Sequence, residues 1–262
     1  MKIIFRPHNC FGGFFSQFNQ TIQGLVQYYD IINQVEWNMH DVSAFCYNND
    51  DNFRPLFVEY NNNIPSRETK IVDAYIDVSF TAHFAADKYT CVDQKWRDTY
   101  YKAYKKFIKH TDLVDSTFEE IYQKQFQMYK DVPKIGILIR NNHLSTEQPN
   151  RVSPTKEQYI DAINSFNLKE FVVVCAIDNN EDLNYFKDKY NIIYNKNTTR
   201  TATAYDLESH RNGSVLNVKD TINHYLEGVA LSKCDYFIHP VSNVATAALY
   251  MNPSLKNLFL IG

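Results

Sequence analysis

Apolar residues recur at two different spacings along the chain, and the pattern changes near Pro133. Residues 2–5 form a short apolar run that predicts a first strand. A polar loop containing Gly12 and Gly13 follows. Then Phe15, Phe18, Ile22, Leu25, Val26 and Tyr29 fall at helical spacing over residues 14–29. The chain therefore starts as strand, Gly-Gly turn and helix. Residues 35–37, 56–60 and 71–77 are further strand candidates whose order the pattern leaves open. Residues 96–108 and 118–129 predict two amphipathic helices that end near Pro133.

Beyond Pro133 the alternation is regular. Strands are expected at 135–139, 171–177, 192–194, 236–238 and 258–261, and helices at 155–166, 181–190, 219–231 and 244–250. Ser153-Pro154 stands at the entrance of the first of these helices. The run Phe171-Val-Val-Val-Cys-Ala-Ile177 is continuously apolar, as in a strand of a parallel sheet covered on both faces. Such alternation predicts an α/β fold with an open sheet, here as two α/β units, 1–132 and 133–262. Ligands of open sheets bind beyond the carboxyl ends of the strands. That rule selects residues 140–143, 178–180 and 239–243.

Composition narrows the function classes. Of the 262 residues, 44% are hydrophobic and 22% charged, enough to build a real core. The net charge is −3 and no long basic block occurs, so nucleic acid is not an expected partner. The basic run at residues 102–109 reads as the solvated face of a helix. Five cysteines, Cys10, Cys46, Cys91, Cys175 and Cys234, are scattered without a C-x-x-C pair. Neither a zinc site nor a disulfide framework is expected, and a reducing compartment fits. Cys175 and Cys234 lie in apolar runs and read as small core residues. The first apolar run is too short for a signal peptide or a membrane span, so a soluble, cytoplasmic protein is expected. Abundant Asn, Lys, Ile and Tyr fit an AT-rich coding sequence, viral or microbial, which bears on origin and not on function.

Several strand-end residues can carry chemistry. Arg140 ends the strand 135–139. Its guanidinium either donates two parallel hydrogen bonds to a diphosphate or pairs with a neighbouring carboxylate. Asp178 either contacts a base, a ribose or a basic residue, or caps the following helix. Ser242 and Asn243 precede a helix, where anions bind and where N-caps also sit. Gly12-Gly13 permits close backbone approach to a ligand or simply makes a turn. No Asp-x-Asp, no G-x-x-x-x-G-K-[ST] and no paired His spacing for a metal occurs.

Taken in order, these segments resemble three motifs of the α1,6-, α1,2- and protein O-fucosyltransferase superfamily. Lys134-Ile-Gly-Ile-Leu-Ile-Arg140 with Ser153-Pro-Thr-Lys-Glu-Gln-Tyr159 is similar to the first, a strand ending in His-x-Arg followed by a Pro-x-x-x-x-Tyr helix. Phe171 to Asp178 resembles the second, an apolar strand ending in one or two Asp. Glu227-Gly-Val-Ala-Leu-Ser-Lys-Cys-Asp-Tyr-Phe-Ile238 with Val241-Ser242-Asn243 resembles the third, which leads into a phosphate- and base-binding loop. Gly12-Gly13-Phe14, with Gln17 and Asn19, is similar to the N-terminal glycine loop. The His of His-x-Arg is Leu138 here, the second Asp is Asn179, and a second Arg is Asn141.

The resemblance implies a GT-B-like fold of two Rossmann-like domains with the active site in the cleft between them. It implies inverting transfer of a sugar, fucose from GDP-fucose as the first choice, to a glycan or other hydroxyl acceptor. No metal and no cofactor is implied, in agreement with the missing Asp-x-Asp. Another nucleotide-deoxysugar would use the same phosphate machinery. Residue by residue, it places Gly12, Gly13, Phe14, Arg140, Asp178, Glu227, Ser242, Asn243 and Val244 on the donor, and Tyr159 near the first motif. Arg140 and the amides near Ser242 would stabilise the departing diphosphate. His8, Asn9, His143 and Glu147 are candidates to assist the acceptor hydroxyl, and Arg140, His143 and Asn9 form the expected catalytic set. The alternative is a non-catalytic nucleotide-sugar or glycan-binding module of the same fold. A sugar-nucleotide epimerase or dehydrogenase would need G-x-G-x-x-G after a strand, and none occurs.

Overall fold

The computed structural model describes residues 2–7, 14–30, 36–37, 56–58, 69–74, 93–140, 153–200 and 218–260. The chain divides into two compact units, Met1–Ser116 with Leu249–Pro253, and Thr117–Ala248 with Ser254–Gly262.

In the first unit, β1 (Lys2–Pro7), β2 (Glu36–Trp37) and β3 (Thr69–Ala74) form a parallel sheet in the order β2-β1-β3. Helix α1 (Phe14–Gln27) packs on β1 and β3 and against α2 (Gln94–Phe107). Asp93 caps α2, its carboxylate accepting from the Trp96 N–H at 2.9 Å. The high aromatic content is spent here. Phe18 stacks on Phe57 with ring centroids 5.3 Å apart, and Trp96 on Tyr100 at 4.1 Å. Tyr250 lies among these rings and donates its hydroxyl proton to Asn19 Oδ1 at 2.9 Å. The expected strand at 56–60 is not what residues 56–58 form. They make one isolated antiparallel bridge, Phe57 to His110, while Leu56 and Phe57 are buried. Their apolar character serves packing and not a sheet edge.

A continuous helical stretch follows: α3 (Asp112–Phe118), a π-helical turn (Glu119–Gln123) and α4 (Lys124–Met128). It starts six residues before the expected 118, counting from Asp112. The boundary between the units falls within α3, after Ser116.

The second unit is the α/β alternation that the pattern predicts. Its elements are β4 (Lys134–Ile139), α5 (Lys156–Ser165), β5 (Val172–Ile177), α6 (Asn180–Lys187), β6 (Ile192–Tyr194), α7 (Val218–Ser232), β7 (Tyr236–His239), α8 (Asn243–Met251) and β8 (Lys256–Phe259). All five strands are parallel, in the order β6-β5-β4-β7-β8. The chain steps outward from β4 through β5 to β6, then returns to place β7 on the other side of β4. Helix α5 starts on a capping box: Thr155 Oγ1 accepts from Gln158 N, and Gln158 Oε1 accepts from Thr155 N at 2.7 Å.

Every residue of β4 and β5 is buried, as a sheet covered on both faces requires. On one face Ile135, Ile137, Ile139, Val173, Cys175 and Ile177 meet Tyr159 and Ile163 of α5 and Leu183 and Phe186 of α6. Burying each such aliphatic side chain contributes about 1.5–3 kcal/mol. On the other face Gly136 leaves room for α7 and the residues after it. A Cβ there would lie 3.0 Å from Leu231 Cδ2, 3.2 Å from Cys234 Sγ and 3.2 Å from Phe237 Cδ2. Cys175 and Cys234 are free thiols, and burial pushes both thiol pKa values upward, so they behave as small core groups. Among the described residues no helix is long and apolar enough to cross a membrane. Gly136→Val should therefore overpack the sheet against α7 and lower stability by about 1–3 kcal/mol. Urea unfolding measures this, and an unchanged midpoint would show that the α7 face is not tightly packed.

Candidate functional site

The strand order places three carboxyl ends side by side. β5, β4 and β7 are direct neighbours, so Asp178-Asn179, Arg140 and 240–242 follow one another along one edge of the sheet. Adjacent strands lie about 4.8 Å apart, so this row spans about 10 Å. β4 and β7 are adjacent, yet the chain leaves them in opposite directions. Open α/β sheets bind ligands at such a switch point. The Asp178 N–H donates to the Ile139 carbonyl at 3.3 Å and ties the ends of β4 and β5 together.

Arg140 is the first residue after β4 and is half-buried. Among the described residues its guanidinium has no hydrogen-bond or ion-pair partner. The carboxylate pairing left open by the sequence is not made there. The strand end is fixed from beneath: Tyr159 on α5 donates its hydroxyl proton to the Leu138 carbonyl at 2.7 Å. Burial, and then Asp178 and Asp182, push the Tyr159 pKa upward, which keeps that proton in place.

Asp178 and Asn179 divide the work at the end of β5. Asn179, and not Asp178, caps α6: its Oδ1 accepts from the Asp182 N–H at 2.8 Å. Asn179 Nδ2 donates to Asp178 Oδ1 at 3.1 Å and to Asp182 Oδ2 at 2.7 Å. Lys156 completes the row, with Nζ 3.0 Å from Asp182 Oδ1 and 2.8 Å from Glu181 Oε1. Those hydrogen bonds raise the Lys156 pKa above its usual value, so it stays charged.

Ser242 is the N-cap of α8. Its Oγ accepts from the Val244 N–H at 3.2 Å and its carbonyl from the Thr246 N–H at 2.9 Å. Val244 is buried and its amide is engaged by that cap, whereas Asn243 is half-buried at the first helical position. Before this loop, His239 is buried between Phe237 and Phe259, with Nδ1 3.0 Å from the Pro240 carbonyl.

Glu227 on α7 is placed differently from a free donor contact. It is buried, with Oε1 3.4 Å from Arg200 Nη2 and Oε2 3.8 Å from His224 Nδ1. Arg200 is a residue the pattern did not single out. Its Nε donates to the Ile177 carbonyl at 3.1 Å, and its Nη1 to the carbonyls of Asn195 at 2.9 Å and Thr198 at 3.1 Å. It thus pins the end of β5 to the segment after β6. A lone Arg after the polar stretch Asn195-Lys-Asn-Thr-Thr carries no periodicity that would reveal its depth.

The second unit therefore gathers Arg140, Asp178, Ser242, Asn243 and Val244 at one sheet edge. Phe14 belongs to the first unit, buried at the start of α1 against Phe15 and Phe18. His8, Asn9, Gly12, Gly13, Asn141, His143 and Glu147 lie outside the described residues.

No protein-family model and no curated protein matches the chain. Among solved structures it is similar to NodZ alpha-1,6-fucosyltransferase co-crystallized with GDP, with a TM-score of 0.53 and 11% sequence identity. The match covers 96% of this chain and 92% of that one. At this identity the likeness shows the fold alone: α/β and GT-B-like, with a parallel five-stranded sheet. The two arginines should behave oppositely in unfolding experiments. Arg200→Met strands a buried carboxylate and should cost about 3–5 kcal/mol. Arg140→Ala should change stability by no more than about 0.5 kcal/mol. Equal losses in the two variants would mean that Arg140 has a structural partner.

Proposed function

We propose that the chain is a glycosyltransferase that moves a sugar from a nucleotide-sugar to a hydroxyl acceptor, with inversion and without a metal. GDP-fucose is the first donor to test. The observation that carries this reading is the half-buried guanidinium of Arg140 at the switch point, which has no partner among the described residues. A cation held out of water without a counter-charge is costly, and an anionic ligand at that place offsets the cost. The fold likeness over nearly the whole chain to a fucosyltransferase crystallised with GDP supports the choice of anion.

The chemistry follows from the row of strand ends. The bond between the sugar carbon and the diphosphate oxygen breaks, and negative charge collects on the diphosphate. Arg140 meets two of its oxygens with parallel N–H bonds. Ser242 Oγ accepts from Val244 and still has its own proton to donate to a third oxygen. The N-terminal end of α8 adds a favourable field. Asp178 stands at the next strand end for the ribose or the base. Glu227 is assigned to holding Arg200 and so the end of β5. The acceptor hydroxyl attacks the sugar from the opposite face and passes its proton to a base, for which the His143 imidazole is the candidate, with the Asn9 amide as a group that orients the hydroxyl. In this reading 133–262 is the donor side, 1–132 the acceptor side, and the protein works in the cytoplasm.

A thermal-shift panel with GDP, UDP, dTDP and CDP tests donor binding. A ligand at about 100 times its Kd adds about 2.7 kcal/mol to stability. Donor turnover then tests catalysis. Arg140→Ala should lower it on the order of 10²–10³-fold while the protein stays folded. Turnover retained within about threefold would falsify the assignment of Arg140, since loss of such a group normally costs far more. Binding without turnover for every donor would make the chain a binding module.

A further inference from the structure

Arg140 and Asp178 carry opposite charges at the ends of neighbouring strands, and the Asp178 N–H is bonded to the residue before Arg140. Opposite charges placed there attract each other, yet among the described residues Arg140 has no ion-pair partner. Among the described residues, a side chain that does engage the Asp178 carboxylate is Asn179. Its amide nitrogen bridges Asp178 Oδ1 and Asp182 Oδ2 at 3.1 and 2.7 Å, while its oxygen is fixed by the Asp182 N–H. Asn179 is buried, and Lys156 clamps Asp182 from the other side. All parts of the amide are thereby oriented, and the Asp178 carboxylate is drawn toward α6.

We propose that Asn179 is a positioning residue: its amide holds Asp178 away from Arg140, which keeps the guanidinium available to the diphosphate and Asp178 oriented for the ribose or base. This rests on the reading of the site given above. An Asp at 179 would cap α6 as well as Asn does, because the cap uses only a side-chain oxygen. It would have no proton to give Asp178. Capping and positioning are therefore separable by one substitution.

The experiment is calorimetric titration of the intact chain with GDP, UDP, dTDP and CDP, for wild type, Asn179→Asp, Asn179→Ser, Asp178→Ala and Asp178→Ala/Asn179→Asp, at pH 8 and pH 5.5. Serine keeps a cap oxygen but is too short to bridge both carboxylates, so it checks the result without adding charge. Asn179→Asp and Asn179→Ser should each weaken the nucleotide by about tenfold or more at pH 8, a coupling expected of groups in contact. In the Asp178→Ala background Asn179→Asp should add no further loss. Asp178 and Asp182 contact the side chain at position 179; Lys156 on α5 pairs with Asp182 and Glu181, and Tyr159 on α5 is coupled to the two aspartates. Asp178 and Asp182 crowd the new carboxylate and raise its pKa, so acid returns a proton to the cluster. The ratio of Asn179→Asp to wild-type affinity should therefore recover towards one at pH 5.5, and the Asn179→Ser ratio should not. Variants within about twofold of wild type at pH 8 overturn the positioning role alone. A wild-type chain that binds none of the four nucleotides overturns the site reading and this inference with it.

Discussion

The double pairing of β4, with β5 on one edge and β7 on the other, is the constraint on which the rest of the second unit depends. β5 is the next strand in sequence, but β7 comes about a hundred residues later, so its pairing closes a long loop. A side chain secures it at the amino end. The Lys134 N–H donates to Asp235 Oδ2 at 2.8 Å, and the Asp235 N–H returns to the Lys134 carbonyl at 2.9 Å. A hydrogen bond to a charged acceptor of this kind contributes about 1.5–3 kcal/mol. Parallel neighbours need crossover connections, and those connections run to opposite sides of β4. The carboxyl ends are thereby left uncovered where the two directions part. Asp235 is far from any ligand, yet the position of Ser242 relative to Arg140 depends on the pairing it holds.

The two arginines of this sheet edge show how burial sorts structural from ligand-facing charge. Arg200 is nearly saturated: three backbone carbonyls and Glu227 take its donors, and Tyr194 lies under it with the guanidinium carbon 5.6 Å from the ring centroid. Four of its five N–H donors are thus committed to the protein. Arg140 has the same chemistry in a half-buried place and no partner among the described residues. A fold selected only for stability would pair or expose such a group. In the proposed reading an anion bound at Arg140 offsets that cost.

Much of this fold was legible because its parts obey simple periods. The continuous apolar run 171–177 reads as a covered strand, and Ser153-Pro154 marks the entrance of α5. The stretch before β4 was misjudged for a physical reason. Val114, Phe118, Tyr122 and Phe126 recur every four residues, which drifts off the face of a regular helix of 3.6 residues per turn. The π turn at Glu119–Gln123 takes up that drift and keeps Phe118, Tyr122 and Phe126 in contact. Residues 56–58 failed as a strand because a short apolar run does not say whether it pairs or packs. In the site, Arg140 and Ser242 could be named from strand ends. Their adjacency could not, since it depends on the β4–β7 pairing. Arg200 was invisible because depth leaves no mark on a single residue in a polar loop.

The loops after β5 and β7 share a division of labour that local sequence cannot resolve. Each helix that starts there needs an oxygen to meet its first amides. Asn179 supplies it for α6 and Ser242 for α8, and either Asp178 or Asn179 is a chemically good cap. Using the amide for the cap leaves a carboxylate at the strand end, and the same amide then restrains that carboxylate. The opposite assignment would place the neutral group at the strand end and bury the charge in the cap, where no ligand meets it. At this edge the helix caps decide which charges face outward. The departure of Asn179 from the paired-Asp motif then has a consequence. It replaces a second negative charge by a hydrogen-bond donor, at the strand end next to that of Arg140, whose proposed role needs an open guanidinium.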